Sequence, residues 1–497
     1  MDTGVKKIDI PENRPKIQTS DNQNLVYFGI PVGFKRADRI LQPEYKKYDL
    51  SMKNLITIAL TAGMAVCGVQ AQEADTSRIW NLQECMRYAI ENSPQAIRQQ
   101  LTNANLKASY HEAILQHLPS LSGSTSVSAG FGRNVDPGTN TYTTVNTLSN
   151  SYNLSAGITV FNGLQLINNT RAGKISKLRG EEQQKQVEDN ISLETMQAYY
   201  DFAYTLGTQT LAREQVDASR DNLRQGRRMM ALGLKGAADV AQLEATLAAD
   251  EYNLIKTENN MRTCELKLKE VMNYPPDAKL KIDTAWRYAI PEMDTTDASE
   301  IVDVALATLP DTRMSMMDVR LAKLDLSTAK ASLFPSLSAS AGMGTSYYKN
   351  LKEDATAFSK QFKDNLSKSV SASLSIPIFG GWSRQTNIVR KRNDLRSSEQ
   401  THIETRRQIA VEVEQAVLDL NGAFAERKQA EKQVQSQSMA YKVALRKYEE
   451  GLLSALDLQT TANQLLDAKA KLLNAEMTWQ AKRKQVDYYK GIPLLSE

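Results

Sequence analysis

Residues 117–124 read HLPSLSGS and residues 333–340 read LFPSLSAS, 216 positions further along the chain. A second pair of blocks follows in the same order, with ITVFNG at 158–163 matching IPIFGG at 376–381. Short blocks that recur in order at a nearly constant offset indicate a duplicated unit. Apolar and polar residues alternate around these blocks, as in β-strands, and this alternation indicates what kind of fold the unit has.

A third matched pair lies in the long proline-free stretches of the chain. MMALGLKGAADVAQLEATL at 229–247 matches YEEGLLSALDLQTTANQL at 448–465. The period of about 217 residues is far longer than that of a solenoid repeat. The sequence therefore predicts two copies of one larger structural unit, at 72–290 and 291–497.

Each copy begins with a predicted helix, at about 82–117 and 299–333. A stretch rich in Ala, Leu, Gln, Glu, Lys and Arg follows at about 164–273 and at about 382–490, as helix propensity favours. One helix of about 60 residues would be roughly 90 Å long. Such helices need neighbours along their whole length, so long antiparallel coiled-coil hairpins are expected, turning near their internal glycines.

Four short segments alternate apolar and small polar residues, which is typical of strands with two different faces. They lie at about 121–131, 154–160, 337–343 and 370–378. The intervening segments 132–150 and 345–368 are polar and are predicted to be loops. Each copy therefore contributes one pair of strands of about ten residues.

Two explanations of these strands compete. A soluble sheet would bury its apolar face against a core, whereas an outer-membrane barrel turns that face to lipid and its polar face to a wet lumen. Strand length and long polar loops favour the barrel. Four strands cannot close a channel, and open edges are not tolerated in lipid. We therefore expect a mainly α protein whose chain contributes four strands to a shared membrane β-barrel.

Residues 52–71 read MKNLITIALTAGMAVCGVQA, with a charged start, an apolar run and a small-residue end. This pattern predicts a secretory signal peptide cleaved after Ala71. Its internal position suggests that Met52 is the true start and that 1–51 is a spurious extension. The alternative is a genuine cytoplasmic extension before a membrane anchor. Lipidation of Cys67 is disfavoured because a bulky valine precedes it.

The composition excludes several classes of function. The chain has 497 residues, 41% hydrophobic and 24% charged, with a net charge of +4. Residues 1–71 carry 10 basic and 7 acidic residues, which leaves 51 and 50 in the remainder. A nearly neutral mature chain gives no support to nucleic-acid binding.

Enzymatic signals are also missing from the sequence. The three histidines lack metal-ligand spacing, and neither a phosphate loop nor a nucleophile elbow occurs. We expect no catalytic activity, cofactor or metal site. Cys85 and Cys264 are interpreted as small core residues, and a disulfide between them is the alternative.

Together these features resemble the TolC family of outer-membrane efflux and secretion channels over about 80–497. The similarity is carried by LQECMRYAIENSP at 82–94, the two PSLS strand starts, the two glycine-leucine turns, and the FNG and FGG strand–helix junctions. The junction residues are Phe161, Gly163, Phe379 and Gly381.

The resemblance implies a homotrimer with a 12-stranded barrel in the outer membrane and a 12-helix tunnel in the periplasm. Such a channel is the exit duct of a tripartite efflux or type I secretion system. It would contact outer-membrane lipid, a periplasmic adaptor protein and an inner-membrane pump, but no nucleic acid.

The resemblance also suggests functional residues at the helix turns. The predicted adaptor-docking tips are Gly233, Leu234, Gly451, Leu452 and Ser454. The alternative for the two glycines is an ordinary helix C-cap.

The predicted tunnel constriction consists of Asp457, its counterpart Asp239, and Tyr448. A ring of three Asp457 carboxylates would favour cations, and the alternative for Asp457 is a solvated helix N-cap. Thr460 occupies the position of a second acidic ring, and Leu453 replaces an arginine. The first departure removes the second acidic ring, and the second puts the closing salt bridges of the family in doubt here.

Two other functions remain open on the sequence. A periplasmic coiled-coil adaptor or scaffold of an export system would carry long helical hairpins but no lipid-facing strands. A surface adhesin with a helical stalk would form no conducting channel.

Overall fold

The computed structural model describes residues 78–135, 140–283, 297–351 and 356–495. The predicted extension 1–51 and signal peptide 52–71, including Cys67, lie outside the described residues.

The paired helices, the two long sheet strands and the long helical hairpin occur in the same order in both halves of the described chain, with a few short elements added in one half or the other. The elements of the first half are β1 (Ile79–Trp80), α1 (Leu82–Asn92), α2 (Pro94–Leu115), β2 (Ser120–Val135), β3 (Tyr142–Asn162), α3 (Gln165–Ala231), α4 (Ala237–Met272) and β4 (Lys281–Ile282). Those of the second half are α5 (Ala298–Thr308), α6 (Pro310–Ala331), β5 (Ser336–Asn350), α7 (Phe358–Asp364), β6 (Ser367–Ser375), α8 (Ser383–Glu449) and α9 (Ala455–Tyr489). The mainly helical architecture expected from the sequence is confirmed.

The single helices predicted at 82–117 and 299–333 are wrong, because each is divided in two by a proline. Pro94 and Pro310 begin α2 and α6, where the missing N–H is not needed. The preceding residues, Ser93 and Leu309, have extended backbone, with ψ of 123° and 137°. A residue before proline avoids the helical region for steric reasons.

Strands β2, β3, β5 and β6 form one antiparallel sheet in that order. One row across it consists of Leu121, Ala156, Ala341 and Val370, all apolar. The opposite face carries pairs of serine hydroxyls with Oγ–Oγ distances of 2.6–2.9 Å: Ser122–Ser155, Ser126–Ser151, Ser128–Ser149 and Ser340–Ser371. The predicted division into an apolar and a small polar face is therefore confirmed.

The strands differ in length from the ten residues expected. β2 and β3 have 16 and 21 residues, so much of the loop predicted at 132–150 is strand. Threonine and aromatic residues just after position 140 favour strand structure there. β6 ends at Ser375, before the predicted limit of 378, because Pro377 has no N–H for the ladder.

The loop predicted at 345–368 is also wrong in part. β5 continues to Asn350, and the short helix α7 follows at Phe358–Asp364. This helix is amphipathic and packs on the sheet, as described below.

The two longest helices, α3 and α8, have 67 residues each and are therefore about 100 Å long. Each packs against the helix that follows it, and α6 packs against both. Buried residues recur every seven positions along α3, at Ile191, Ala198, Thr205, Ala212, Ser219 and Gly226. In α8 the same spacing connects Ile409, Ala416, Ala423 and Ala430, and Ala444 follows two heptads later, after the partly buried Gln437. This heptad pattern is that of coiled coils, and its small residues allow close contact between helices.

The largest buried cluster joins α1 to the middle of α3 and the end of α4. Met86, Phe202, Leu268 and Met272 are almost completely inaccessible there. Cys85 lies in the same cluster, and burial raises the pKa of its thiol to about 12. Neither Cys85 nor Cys264 forms a disulfide, so the core interpretation of Cys85 is confirmed.

No helix among the described residues is both long and apolar enough to cross a membrane.

Candidate functional site: the helical tip

The strand–helix junctions turn through consecutive left-handed residues. Gly163 and Leu164 have φ of +67° and +73°, and Gly381 and Trp382 have φ of +58° and +61°. A Cβ at Gly163 would overlap the carbonyl oxygen of Ala331, the last residue of α6, whereas one at Gly381 would meet open space. Glycine is thus required at 163 for packing as well as conformation.

The junctions also carry exposed aromatic side chains. Phe161, Phe334, Phe379 and Trp382 all expose 40% or more of their surface. Aromatic girdles of this kind flank the apolar band of outer-membrane barrels. The junction residues predicted from the sequence therefore lie where the apolar strand face ends.

Both helical hairpins turn at a glycine with the same geometry. Gly233 and Gly451 have φ of +75° and +77°. The N–H of Leu234 donates to the carbonyl of Met229, at 2.9 Å, and the N–H that follows Gly451 makes the equivalent bond at 2.8 Å. These are Schellman C-caps. We call the two turns, residues 232–236 and 450–454, the helical tip.

Asp457 and Asp239 occupy the third position of the helices that leave the tip. Ser454 Oγ accepts a bond from the N–H of Asp457 at 3.2 Å and donates to its carboxylate at 2.7 Å. The N–H of Gly236 donates to the Asp239 carboxylate at 3.2 Å. Both aspartates therefore stabilise a helix N-terminus. Asp457 is also exposed, so its charge faces solvent.

Tyr448, predicted to belong to the constriction, is completely buried within the protomer. It packs in a cluster that includes Leu243 and Leu458. Gly226 makes room for the ring, because a Cβ there would lie 3.3 Å from the tyrosine hydroxyl and would overlap Leu243. Burial raises the pKa of Tyr448, and the nearby Asp239 charge adds to the effect. In the single chain Tyr448 is therefore a packing residue.

Lys235 connects the two turns. Its Nζ donates to the carbonyl oxygen of Leu453 at 2.9 Å and lies 5.0 Å from the centroid of the Tyr448 ring. The sequence prediction missed this residue. A position-by-position comparison of the two turns could have found it, since Lys235 occupies in the first turn the place of Leu453 in the second.

A second contact joins the hairpins just beyond the tip. Thr246 Oγ1 donates to Gln459 Oε1 at 2.8 Å, and Gln242 Nε2 lies 3.4 Å from the same oxygen. The bonds between the hairpins at the tip and just beyond it therefore go to neutral acceptors, whereas further along the helices Lys469 Nζ lies 3.4 Å from Glu214 Oε2. The doubt about family-like salt bridges is consistent with this arrangement.

The sequence profile of the outer membrane efflux protein family matches residues 86–273 and 301–491. The two matched ranges cover most of the described chain, one in each half. No curated protein matches the sequence significantly.

Solved outer-membrane channels have a similar fold. VceC from Vibrio cholerae is 17% identical, with a TM-score of 0.68, over 82% of this chain and 96% of that chain. The CmeC channel of Campylobacter jejuni is 16% identical, with a TM-score of 0.69, over 84% and 87% of the two chains. A membrane protein from Pseudomonas aeruginosa is 18% identical, with a TM-score of 0.70, over 83% and 93%.

The family match covers far more than half of the chain, and the solved channels share its fold over 82–84% of the chain. The match therefore favours an efflux channel over a periplasmic adaptor or an adhesin. This chain belongs to the outer membrane efflux protein family, and it is an efflux channel of the Gram-negative outer membrane.

Proposed function

We propose that three copies of this chain close a 12-stranded barrel and a 12-helix tunnel, which together form the exit duct of a tripartite efflux or type I secretion system. The observation that carries the proposal is the four-stranded sheet. Among the described residues, β2 and β6 each have a strand neighbour on one side only. They run in opposite directions, so β6 of one copy can pair antiparallel with β2 of the next.

The exposed apolar face of the sheet supports a membrane location for this closed barrel. Val370 is 89% exposed and Leu121 is 70% exposed. A contiguous apolar surface of this kind is unfavourable in water and marks contact with lipid or a partner. The serine pairs on the other face would line a wet lumen.

The helical tip is proposed to dock a periplasmic adaptor, which in turn connects the duct to an inner-membrane pump. Leu232, Leu234 and Leu452 project from it with 65–75% of their surface exposed. The two Schellman glycines, Gly233 and Gly451, hold these leucines at the ends of the hairpins. Apolar side chains at the ends of long polar hairpins are suited to contact with another protein.

The division into units 72–290 and 291–497 belongs to the same proposal. It is supported by the repeated order of elements and by the matching tip geometry. No reaction is assigned to the chain, since both its family and its fold are those of channel proteins.

The proposal is tested with the chain beginning at Gln72, purified in detergent. We expect a trimer by native mass spectrometry and stepwise conductance in planar lipid bilayers. A monomer that stays soluble without detergent would favour the adaptor alternative. A membrane-inserted protein without conductance would favour the adhesin.

A further inference from the structure

Helix α7 hydrogen-bonds to the part of the β5 edge that lies beyond the end of its pairing with β6. β6 pairs with β5 only as far as Gly344. Beyond that point, Gln361 Nε2 donates to the Tyr348 carbonyl at 2.9 Å, and Gln361 Oε1 accepts from the Tyr348 N–H at 3.0 Å. Asn365 Nδ2 donates to the Ser346 carbonyl at 2.7 Å. The helix is therefore fixed to the sheet by bonds that replace those of a strand.

The apolar side of α7 lies on the apolar face of the sheet. The ring of Phe358 lies 5.4 Å from that of Tyr347, and the ring of Phe362 lies 5.7 Å from that of Tyr152. Thr345, on the same face, donates its hydroxyl to the Phe362 carbonyl at 2.8 Å. Because this face is the one turned toward lipid in the proposed barrel, α7 lies on the outside of the channel.

A cavity of about 500 Å³ opens beside α7 on this face. Its lining includes Gly123, Leu154, Met343, Phe362 and Leu366. The lining is almost entirely apolar and the volume is in the range of small-molecule sites. A single acyl chain is a ligand of suitable shape and chemistry.

Cationic side chains lie beside the cavity and beyond it, toward the loop end of the sheet. Gly123, Leu154 and Met343 lie opposite one another on β2, β3 and β5. Lys368 on β6 lies opposite Met343 and continues this row across the sheet. Further cations at this end are Arg133, Lys349, Lys360 and Lys363. The described residues of the four large strands contain no Asp or Glu, and Asp364 is the only one in α7.

No acidic partner is seen for the two lysines of α7. Neither Lys360 nor Lys363 forms an ion pair with a described residue, and both are exposed. Their spacing places them on the side of the helix opposite its phenylalanines, away from the sheet, where the headgroup of a ligand that extends past the helix can reach them.

The strand length sets the depth of this cluster in the membrane. From Leu337, near the junctions, to Tyr347, beside α7, β5 advances ten residues. That corresponds to about 33 Å along the strand and about 25 Å along the membrane normal at a tilt near 40°. The apolar band of outer-membrane barrels has about this height. The two lysines of α7 therefore lie at the outer headgroup level, with the cavity just below it. Lys368, opposite Met343, lies at the depth of the cavity, and its long side chain can reach up toward the headgroups.

We propose that the cavity and the lysines beside it form a binding site for one phosphorylated, multiply acylated glycolipid of the outer leaflet. An acyl chain occupies the cavity, and Lys360, Lys363 and Lys368 bind the phosphate groups. This inference rests on the proposed function, which sets the orientation of the barrel. Apolar burial and charge attraction to anionic lipid act together at such sites.

The test measures binding of purified lipid A to the immobilised, detergent-solubilised channel by surface plasmon resonance. The variant K360Q/K363Q should bind about fivefold more weakly for each lysine removed, with the effect shrinking at high salt. Dephosphorylated lipid A should bind the unaltered channel more weakly than lipid A binds K360Q/K363Q, because it also loses its contact with Lys368. The matched control K428Q/K432Q, on exposed lysines of α8, should bind lipid A normally.

A second variant tests the cavity. A Cβ at Gly123 would come no closer than 3.8 Å to its neighbours, and Gly123 lines the cavity, so the leucine of G123L should extend into that space. It should weaken lipid A binding while leaving the unfolding temperature unchanged. If G123L is unstable, K360Q/K363Q still decides the proposal, since both lysines are exposed.

Three results would overturn the site. These are equal binding by K360Q/K363Q and its control, no preference for lipid A over its dephosphorylated form, or equally tight binding of inorganic pyrophosphate. Conductance is recorded on the same preparations. A conducting trimer with unselective lipid binding contradicts the lipid site alone, whereas failure to form a trimer or to conduct contradicts the proposed function.

Discussion

At the scale of single residues, the two turns of the helical tip are joined by a cation in the first turn, Lys235. The family resemblance would put a cation in the second turn instead, where Leu453 stands. The ammonium group of Lys235 in the first turn bonds to the Leu453 carbonyl of the second. It also lies against the face of Tyr448, where a cation–π interaction contributes about 0.5–2 kcal/mol. A bond from a charged donor adds about 1.5–3 kcal/mol. One side chain therefore links two hairpins that are far apart in sequence.

Lys235→Met keeps the length of the side chain and removes both contacts. We expect a looser tip and a larger mean conductance in planar bilayers, because the hairpins lose their shortest direct bond at the turn. Lys256→Met, on an exposed lysine of the same hairpin, is the matched control. Equal conductance of the two variants would mean that Lys235 does not restrain the tip.

Asp457→Asn separates the two roles of this residue. Asparagine can still accept the Ser454 hydroxyl, so the N-terminus of α9 should unfold at nearly the same temperature. Loss of a ring of three charges should reduce cation selectivity and block by divalent ions. Asp239→Asn tests the counterpart in the first copy, and Asp303→Asn, remote from the tip, is the control. If the cation selectivity of Asp457→Asn equals that of the control, Asp457 only caps helix α9 and does not form the constriction.

At the scale of elements, the sequence predicts best what depends on local periodicity. The alternation of apolar and serine residues gives the faces of the sheet, and the long proline-free runs give the helical hairpins. The helix breaks at Pro94 and Pro310 also depend on local sequence. Treating each proline as the first residue of a new helix would have predicted both breaks. By contrast, α7 and Lys235 acquire their roles from contacts with residues distant in sequence, which no periodic pattern encodes.

Gly163→Ala and Gly381→Ala form a matched pair at the strand–helix junctions. Both impose positive φ on alanine, which costs about 1 kcal/mol or more. Only alanine at 163 also collides with the Ala331 carbonyl. Gly163→Ala should therefore lower the unfolding free energy clearly more than Gly381→Ala in chemical denaturation. Equal losses would show that the contact between α3 and α6 is easily adjusted.

The contact between α6 and α8 should depend on pH. His402 Nδ1 lies 2.8 Å from Ser315 Oγ, and burial, helped by the Arg406 charge, lowers the pKa of His402 below 6.5. Near that pH the unfolded chain binds more protons, so stability present above pH 6.5 is lost as the pH falls through the lower folded value. His402→Gln should make the unfolding temperature depend less on pH between pH 7.5 and about 5. An unchanged slope would assign the dependence to other groups.

At the scale of the whole molecule, the proposed assembly has a direct chemical test. β2 and β6 are the two edges of the sheet, and they would meet only between different copies. The apolar-face residues Val127 and Val370 lie on these edges, and both are exposed. A reagent that joins the two edges would therefore join protomers.

Val127→Cys and Val370→Cys in one chain should give covalent dimers and trimers with a flexible bismaleimide. Cys264 is replaced by serine beforehand, while Cys85 can remain because its thiol is buried and its pKa raised to about 12. Each single variant should give no ladder, since two β2 edges do not meet. Products larger than trimers would contradict closure by three copies.

The equal length of α3 and α8, 67 residues each, has a consequence for how such chains can change over time. Deleting seven residues from one helix alone would retract its turn by about 10 Å. The bond between Lys235 and the Leu453 carbonyl would then be out of reach. Insertions and deletions in these hairpins should therefore be tolerated only in compensating pairs, one in each half. The depth that the channel spans is thus set by two helices of equal length, one encoded in each half of the gene, that must change together.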